Sequence, residues 1–362
     1  MKADRPGTAD GKLRVAVLYG GRSGEHEVSV NSAESVISAM DPARYEVARI
    51  FITKEGKWQP GPLLPEPGAN PGIDVVFPVL HGTFGEDGTV QGLLELADLP
   101  YVGAGVMSSA ISMDKEITKR LCRERGLPVV EYTVLFRESL GECAGAQGFR
   151  VGQASWPVVP ICPNFSETGQ EASPTFGYPV FVKPANLGSS VGISKAHDRD
   201  ELNRALVLAA EFDRKIIVER AIAGRELECS VLGNENPEAA APCEILPSRE
   251  FYDYEDKYLL GAARTVVPAD VAPEVTAEAR RLAVECYRAV GCEGMARVDF
   301  LLEAATGRLY INEINTIPGF TSISMFPKMW EAAGLPYPAL IDRLIALALE
   351  RHEARRSTRF SL

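Results

Sequence analysis

Leu13-Arg14-Val15-Ala16-Val17-Leu18-Tyr19 runs straight into Gly20-Gly21, and the fold class follows from that junction. A short apolar run closed by two glycines is a buried strand entering a turn. Val30, Ala33, Val36, Ile37 and Met40 then recur at helical spacing until Asp41-Pro42 stops them. Tyr45 to Ile52 and Val75 to Leu80 read as further strands, the second ending at His81-Gly82. This alternation predicts a parallel sheet with helices on its faces. Ligands of such sheets lie beyond the strand C-termini, so the loops Gly20 to Glu27 and His81 to Gly88 should border a site.

Beyond Ser108 a second region begins. Ser112-Met113-Asp114-Lys115 opens a predicted helix that runs towards Arg125 and ends at Gly126-Leu127-Pro128. Arg137 to Thr175 is rich in Gly, Pro and polar residues and reads as a long surface excursion. Strands follow at Tyr178 to Lys183 and Lys215 to Glu219, with a helix at Asp198 to Glu211 between them. The last part holds a strand near Glu226 to Leu232, a helix from Pro273 to Val290 and a hairpin at Thr306-Gly307. A helix from Pro338 to Arg351 closes it, and the basic tail after Glu350 reads as a solvated end.

Composition sets the outer limits. The 362 residues, at about 150 per domain, give about 2.4 domains. With 46% apolar and 24% charged residues the chain is an ordinary globular protein, not a disordered or collagen-like one. A net charge of −11 excludes a general nucleic-acid or anionic-membrane binder. Met1 to Lys12 lacks the apolar stretch of a signal peptide, and no run of about 18 apolar residues is present. The seven cysteines form no CxxC pair, which suits scattered reduced thiols in a cytoplasmic protein.

Four segments could carry chemistry. Gly20-Gly21-Arg22-Ser23-Gly24-Glu25-His26-Glu27 places Arg22 where a dinucleotide fingerprint needs its second glycine, which argues against an NAD dehydrogenase. Read alone it is a glycine turn, while Glu25 and Glu27 at a strand end could hold a ligand ammonium. Lys183-Pro184-Ala185-Asn186-Leu187-Gly188-Ser189-Ser190-Val191-Gly192 is not a P-loop. It reads either as a hairpin turn or as a phosphate cradle of backbone N–H groups and hydroxyls. Lys183 before it, and Lys115 elsewhere, favour a nucleotide.

The third segment pairs Arg297-Val298-Asp299-Phe300-Leu301 with Tyr310-Ile311-Asn312-Glu313-Ile314-Asn315 across a turn at Ala304 to Gly307. Side chains alternate along strands, so Glu313 and Asn315 share a face. Odd-to-odd pairing adds Arg297 and Asp299 to it. Val298, Phe300, Leu302, Tyr310 and Ile314 then form the core face, with Asn312 as its one misfit. Two carboxylates and an amide oxygen suit a hard cation such as Mg²⁺. The fourth segment, Asn315-Thr316-Ile317-Pro318-Gly319-Phe320-Thr321-Ser322-Ile323-Ser324, follows directly and could supply N–H groups to an oxyanion beside Arg297. His197 and His352 read as solvated, and Phe251 to Tyr258 as a lid.

Taken together these segments resemble the D-alanine–D-alanine ligases of the ATP-grasp superfamily. The resemblance runs from about Val15 to Arg351. It rests on GGRSGEHEVSVNSA at 20–33, LHGTFGEDGTVQGLLE at 80–95, GVMSSAISMDK at 105–115 and VKPANLGSSVGISK at 182–195. FYDYEDKY at 251–258, ARVDF at 296–300 and NEINTIPGFTSIS at 312–324 complete it.

The resemblance implies an α/β and α+β protein: a Rossmann-like parallel-sheet domain at 12–107, then a two-domain ATP-grasp fold at 108–216 and 217–352. Lys115, Lys183, Ser189 and Ser190 would contact the ATP phosphates. Glu219, Arg220 and Ile222 would surround the adenine, and Glu226 would lie at the ribose. Asp299, Glu313 and Asn315 would hold two Mg²⁺ or Mn²⁺ ions. Glu25 would take the ammonium of the first D-alanine near Ser189 and Tyr258, with His81 by the same subsite. Arg297 and the Gly319 amide would stabilise the oxyanion, and Lys257 and Ser324 would bind the second D-alanine's carboxylate. ATP and D-alanine are then the small-molecule partners of a cytoplasmic homodimer that engages neither nucleic acid nor membrane. The implied reaction passes through a D-alanyl phosphate to D-Ala-D-Ala for peptidoglycan precursors. The rival is a ligase joining D-alanine to D-lactate or D-serine; Tyr258 resembles the dipeptide makers.

Overall fold

The computed structural model describes residues 11–138, 140, 176–189, 191–246, 264–321 and 323–359. The chain divides into two compact units, Met1–Val129 with Ala223–Leu362, and Val130–Ile222.

The first unit opens with β1 (Leu13–Gly20), β2 (Tyr45–Ile52), β3 (Trp58–Gln59) and β4 (Val75–Val79), in the order β3-β2-β1-β4. β1 is parallel to both β2 and β4, as the βαβ reading expects. Val15 to Leu18 are fully buried because both faces of the sheet are covered. The crossover helix His26–Ala39 begins earlier than its apolar positions suggest. Its Ser29 Oγ donates to the Val79 carbonyl and accepts the Gly20 N–H at 2.8 Å, so the helix start is pinned where β1 and β4 end.

The predicted helix from Ser112 is two helices, Val106–Met113 and Lys115–Glu124. Asp114 separates them: its backbone is extended, and its carboxylate accepts the N–H groups of Glu116 and Ile117 at 3.1 Å each. That is an N-cap, and it makes Lys115 the first residue of a helix.

The second unit is an antiparallel sheet of β5 (Tyr132–Phe136), β6 (Val180–Pro184), β7 (Ser194–Ala196) and β8 (Lys215–Arg220), ordered β5-β8-β6-β7. Helix Arg199–Phe212 covers it, capped by Asp198 on the Glu201 N–H at 2.9 Å. The sheet extends through Arg220, past residue 216.

The first unit resumes with β9 (Gly224–Gly233), β10 (Glu238–Ala239), β11 (Cys243–Leu246), β12 (Arg264–Val266), β13 (Gly294–Glu303) and β14 (Leu309–Asn315). Their order is β12-β11-β9-β13-β14, with β10 on β9, and the pairs are antiparallel. Helix Pro273–Ala289 packs on one face, joining Leu227, Cys229, Val231, Val298 and Phe300 in a buried cluster. A second cluster joins β1 and β4 residues to Ile317, Phe320 and the helices Met325–Ala332 and Tyr337–Arg356. N-terminal sheet and C-terminal loop therefore share one core.

Three expectations need correction. The β13–β14 register shifts between Asp299 and Phe300, so Asn312 is an extra residue. Leu309 and Ile311, and not Tyr310, therefore join Ile314 in the cluster with Val298, Phe300 and Leu302. A bulge accommodates the misfit Asn312. His352 is not solvated: its side chain is 14% exposed and faces Asp98 at 3.6 Å, and burial lowers its pKa. Nor is the basic tail loose. The last helix reaches Arg356, Arg351 donates to the Tyr101 carbonyl at 3.0 Å, and Arg355 pairs with Glu95. His197 is half-exposed against Glu201, as expected.

Among the described residues no single helix is long and apolar enough to cross a membrane.

Candidate active site

β13 and β14 bring the third constellation together. Arg297 lies opposite Asn315 and Asp299 opposite Glu313, so the odd-to-odd pairing holds up to the bulge and the four side chains share one face. Arg297 donates two hydrogen bonds to Asp299, at 2.7 and 2.6 Å, and lies 3.2 Å from Glu228. Burial alone would lower the Arg297 pKa, but the charges of Asp299 and Glu228 outweigh it and hold the guanidinium cationic. Asn315 Nδ2 donates to Asp299 Oδ2 at 2.9 Å. Lys115 Nζ approaches Glu313 at 3.5 Å from the start of its helix. The lysine is 7% exposed, a charge placed in a low-dielectric wall.

Neighbouring β9 adds to the same face. Glu226, Glu228 and Ser230 lie opposite Leu301, Asp299 and Arg297, while Leu227, Cys229 and Val231 turn to the core. Glu228 was missed by the sequence reading. Its signal is the period-two alternation of Glu226-Leu227-Glu228-Cys229.

The loop after β14 meets the two loops that end β1 and β4. His81 Nδ1 lies 3.0 Å from the Ile317 carbonyl and Nε2 lies 3.2 Å from Ser32 Oγ. Burial lowers the His81 pKa, so the neutral ring donates from Nδ1 and accepts the Ser32 hydroxyl at Nε2. Ser32 Oγ also accepts the Phe320 N–H at 3.3 Å. Glu86 accepts the Gly82 N–H at 2.8 Å and the Ile317 N–H at 3.0 Å. Burial, followed by the Glu25 charge, pushes Glu86 up to about 8. Ser32 and Glu86 were also missed, although both lie inside the quoted motifs; only tertiary pairing reveals them.

Glu25 sits in the first loop, its N–H donating to Ser23 Oγ at 3.2 Å, and that hydroxyl donates to the His81 carbonyl at 2.6 Å. Gly82 has φ +72°, and a Cβ there would stand 2.7 Å from Glu25 Oε2. Only glycine lets the two loops close this far. At Gly319 a Cβ would stand 2.7 Å from Ser324 Oγ. Ser324 Oγ accepts the Thr321 N–H at 3.0 Å and lies 2.8 Å from Thr321 Oγ1.

In the second unit Lys183 and Glu219 pair at 2.7 Å, with side chains 10% and 3% exposed. Arg220 pairs with Glu131 at 3.0 Å, and Ile222 follows at the edge of the unit. Ser189 adopts φ +55°, a left-handed conformation uncommon for serine. Ser190, Lys257 and Tyr258, with the rest of the proposed lid, lie outside the described residues, as does nearly all of the excursion at 137–175.

Asp299 and Glu313, registered directly opposite each other, and Asn315, opposite Arg297, offer hard oxygen donors on one face. This set fits Mg²⁺ or Mn²⁺ better than a softer ion.

Comparisons with known proteins show the family of the chain. The family model described as D-ala D-ala ligase C-terminus matches residues 121–346, and that described as D-ala D-ala ligase N-terminus matches 14–67 and 64–104. A D-alanine–D-alanine ligase from Solibacter usitatus is 64% identical over 350 residues, covering 97% of this chain and 99% of that protein. The solved D-alanine–D-alanine ligase from Coxiella burnetii superposes with a TM-score of 0.76 at 35% identity, over 96% of this chain and 97% of that one. The VanG D-Ala:D-Ser ligase from Enterococcus faecalis gives 0.77 at 33% identity, over 93% and 99%. The chain therefore belongs to the D-alanine–D-alanine ligase family of ATP-dependent ligases.

Proposed function

We propose that the Arg297, Asp299, Glu313 and Asn315 face, with the Gly319 loop beside it, is where this ligase joins two D-alanines. The observation that carries this reading is the paired register of Arg297 with Asn315 and of Asp299 with Glu313. It supplies a fixed cation and a hard-oxygen donor set next to a loop of N–H donors.

The residue roles are those that the resemblance to the family implies. Glu25 holds the ammonium of the first D-alanine, with His81 and Ser189 serving the same subsite. The carboxylate oxygen of that D-alanine attacks the γ-phosphorus of ATP, ADP leaves, and a D-alanyl phosphate forms. Lys115, Lys183, Ser189 and Ser190 hold the phosphates, a positioning and charge role sufficient for phosphoryl transfer. Glu219, Arg220 and Ile222 face the adenine and Glu226 the ribose. Asp299, Glu313 and Asn315 would hold two Mg²⁺ or Mn²⁺ ions, which neutralise charge on the phosphates when bound.

In the second step the amine of the second D-alanine attacks the acyl carbon. Arg297 and the Gly319 N–H stabilise the negative oxygen that develops. Phosphate then leaves, and the amine's proton departs to solvent or phosphate. Lys257 and Ser324 bind the second carboxylate, and Tyr258 closes over the first subsite with the lid, keeping water from the acyl phosphate. The domains divide as 12–107 for the first D-alanine and 108–216 with 217–352 for ATP, in a cytoplasmic homodimer. The product supplies peptidoglycan precursors.

D-Alanine is the acceptor this reading favours, because the family models and the 64% identical relative carry that name. The test is competition: ATP, Mg²⁺ and D-alanine with and without equimolar D-lactate or D-serine, products identified by mass. D-Ala-D-Ala should dominate throughout. A predominant depsipeptide or D-Ala-D-Ser product would reassign the acceptor.

A further inference from the structure

We propose that Glu86 is a positioning residue that couples the ammonium subsite at Glu25 to the loop carrying Gly319, a role that rests on the active-site reading above. Gly82 stands between the two carboxyl groups. Its N–H donates to Glu86 Oε2 at 2.8 Å, while its Cα side abuts Glu25 so closely that a Cβ would lie 2.7 Å from Glu25 Oε2. The other oxygen of Glu86 accepts the Ile317 N–H at 3.0 Å, across 231 residues of sequence. Ile317 is then gripped on both sides of its residue: Glu86 takes the N–H and His81 takes the carbonyl, at 3.0 Å each. Two residues onward lies Gly319, and the next N–H, of Phe320, goes to Ser32. The amide needed for the oxyanion therefore hangs between two anchored peptide groups.

A rigid anchor could be built from neutral side chains. A carboxyl group does something further here, because it shares its surroundings with Glu25, His81 and Arg297. Two carboxyls repel when both are ionised, which, beyond what burial already does, favours the proton on Glu86. An ammonium arriving at Glu25 offsets that repulsion. Glu86 then carries its charge more readily, and a charged acceptor binds both N–H groups more strongly than a neutral one. Occupancy of the first subsite thus tightens the loop that serves the second step.

The test uses the full-length enzyme with ATP, Mg²⁺ and D-alanine, comparing wild type with Glu86→Gln and Glu86→Asp. Glutamine keeps one acceptor but presents an NH₂ to an N–H. We expect Glu86→Gln to lower kcat/KM for D-alanine about tenfold to a hundredfold, the range for a loop misplaced by a fraction of an ångström. The KM for ATP should stay within about twofold, since no nucleotide residue is touched. Glu86→Asp, charged but shorter, should recover part of the loss.

The decisive readout is the ratio of Glu86→Gln to wild-type kcat/KM from pH 7 to pH 9, in which the titration of D-alanine itself cancels. It should fall as pH rises, because only the wild type gains a charge there. A pH-independent ratio, or equal loss in D-alanine and ATP parameters, overturns the proposal and leaves Glu86 a purely structural anchor. If Glu86→Gln does not fold, the same ratio measured with Ser32→Ala decides: that variant loosens the Phe320 anchor but keeps the carboxyl, so its ratio should be flat with a raised D-alanine KM. An unchanged D-alanine KM in folded Ser32→Ala overturns the clamp. Wild-type protein that makes no dipeptide would instead overturn the reading on which the proposal rests.

Discussion

Arg297 grips Asp299 through two hydrogen bonds, at 2.7 and 2.6 Å, from positions two apart on the same strand. Glu228 approaches the same guanidinium at 3.2 Å. An arginine with two carboxylate neighbours is fixed in charge and direction before substrate arrives, which is what an oxyanion stabiliser requires. Arg297→Lys keeps one positive charge but loses the planar fork. We predict at least a hundredfold lower kcat with near-normal melting. Arg297→Ala should lose activity and also melt lower, because Asp299 and Glu228 are left facing each other. Steady-state kinetics with differential scanning calorimetry check both.

Lys183 and Glu219 form a buried pair in the second unit. Removing one partner strands the other as a buried charge, at a cost of about 3–5 kcal/mol. Lys183→Met should therefore unfold at clearly lower temperature. Lys183→Met with Glu219→Gln should regain most of that stability and still show a raised KM for ATP. A double variant as unstable as the single would show that the pairing is not the source of the loss.

Gly319→Ala would place a Cβ 2.7 Å from Ser324 Oγ. The serine must move off Thr321, whose N–H and hydroxyl it now meets. We predict a raised D-alanine KM, mostly for the second subsite, and about 1–3 kcal/mol lower stability from overpacking. Adding Ser324→Ala should restore stability but not the KM.

Glu86 makes stability depend on pH. Its folded-state pKa, about 8, lies above its ordinary value of 4.5. Between those values the unfolded chain has lost this proton while the folded one retains it, so stability falls as pH rises from about 4.5 to about 8. Glu86→Gln removes that component, and its melting temperature should gain on the wild type across that interval. His81 acts in the opposite sense, because its lowered pKa costs stability as pH falls below its ordinary 6.5. A melting difference that stays constant with pH would contradict the assignment.

Much of this was legible in the sequence because the signals are local. The run from Leu13 to Gly20 and the periodicity after it specify a parallel βαβ start, and strand alternation puts Glu313 and Asn315 on one face, with odd-to-odd register needed to bring Asp299 onto it. What escaped was non-local. The bulge at Asn312 is a relation between two strands, and without it Tyr310 takes the place that Leu309 and Ile311 occupy in the core. Asp114 reads as part of the first turn of a helix opening at Ser112, yet its short carboxylate competes for backbone N–H groups and starts a new helix at Lys115. Glu86 and Ser32 reach the C-terminal loop through partners more than 200 residues away.

On the proposed roles, this site couples ATP cleavage to peptide-bond formation between two D-alanines. Quantifying D-Ala-D-Ala by mass against ADP, from purified enzyme with ATP, Mg²⁺ and D-alanine, tests it most directly. One dipeptide should form for each ADP, with both lost in Arg297→Lys. ADP formed without dipeptide, or no response to D-alanine, would contradict those roles.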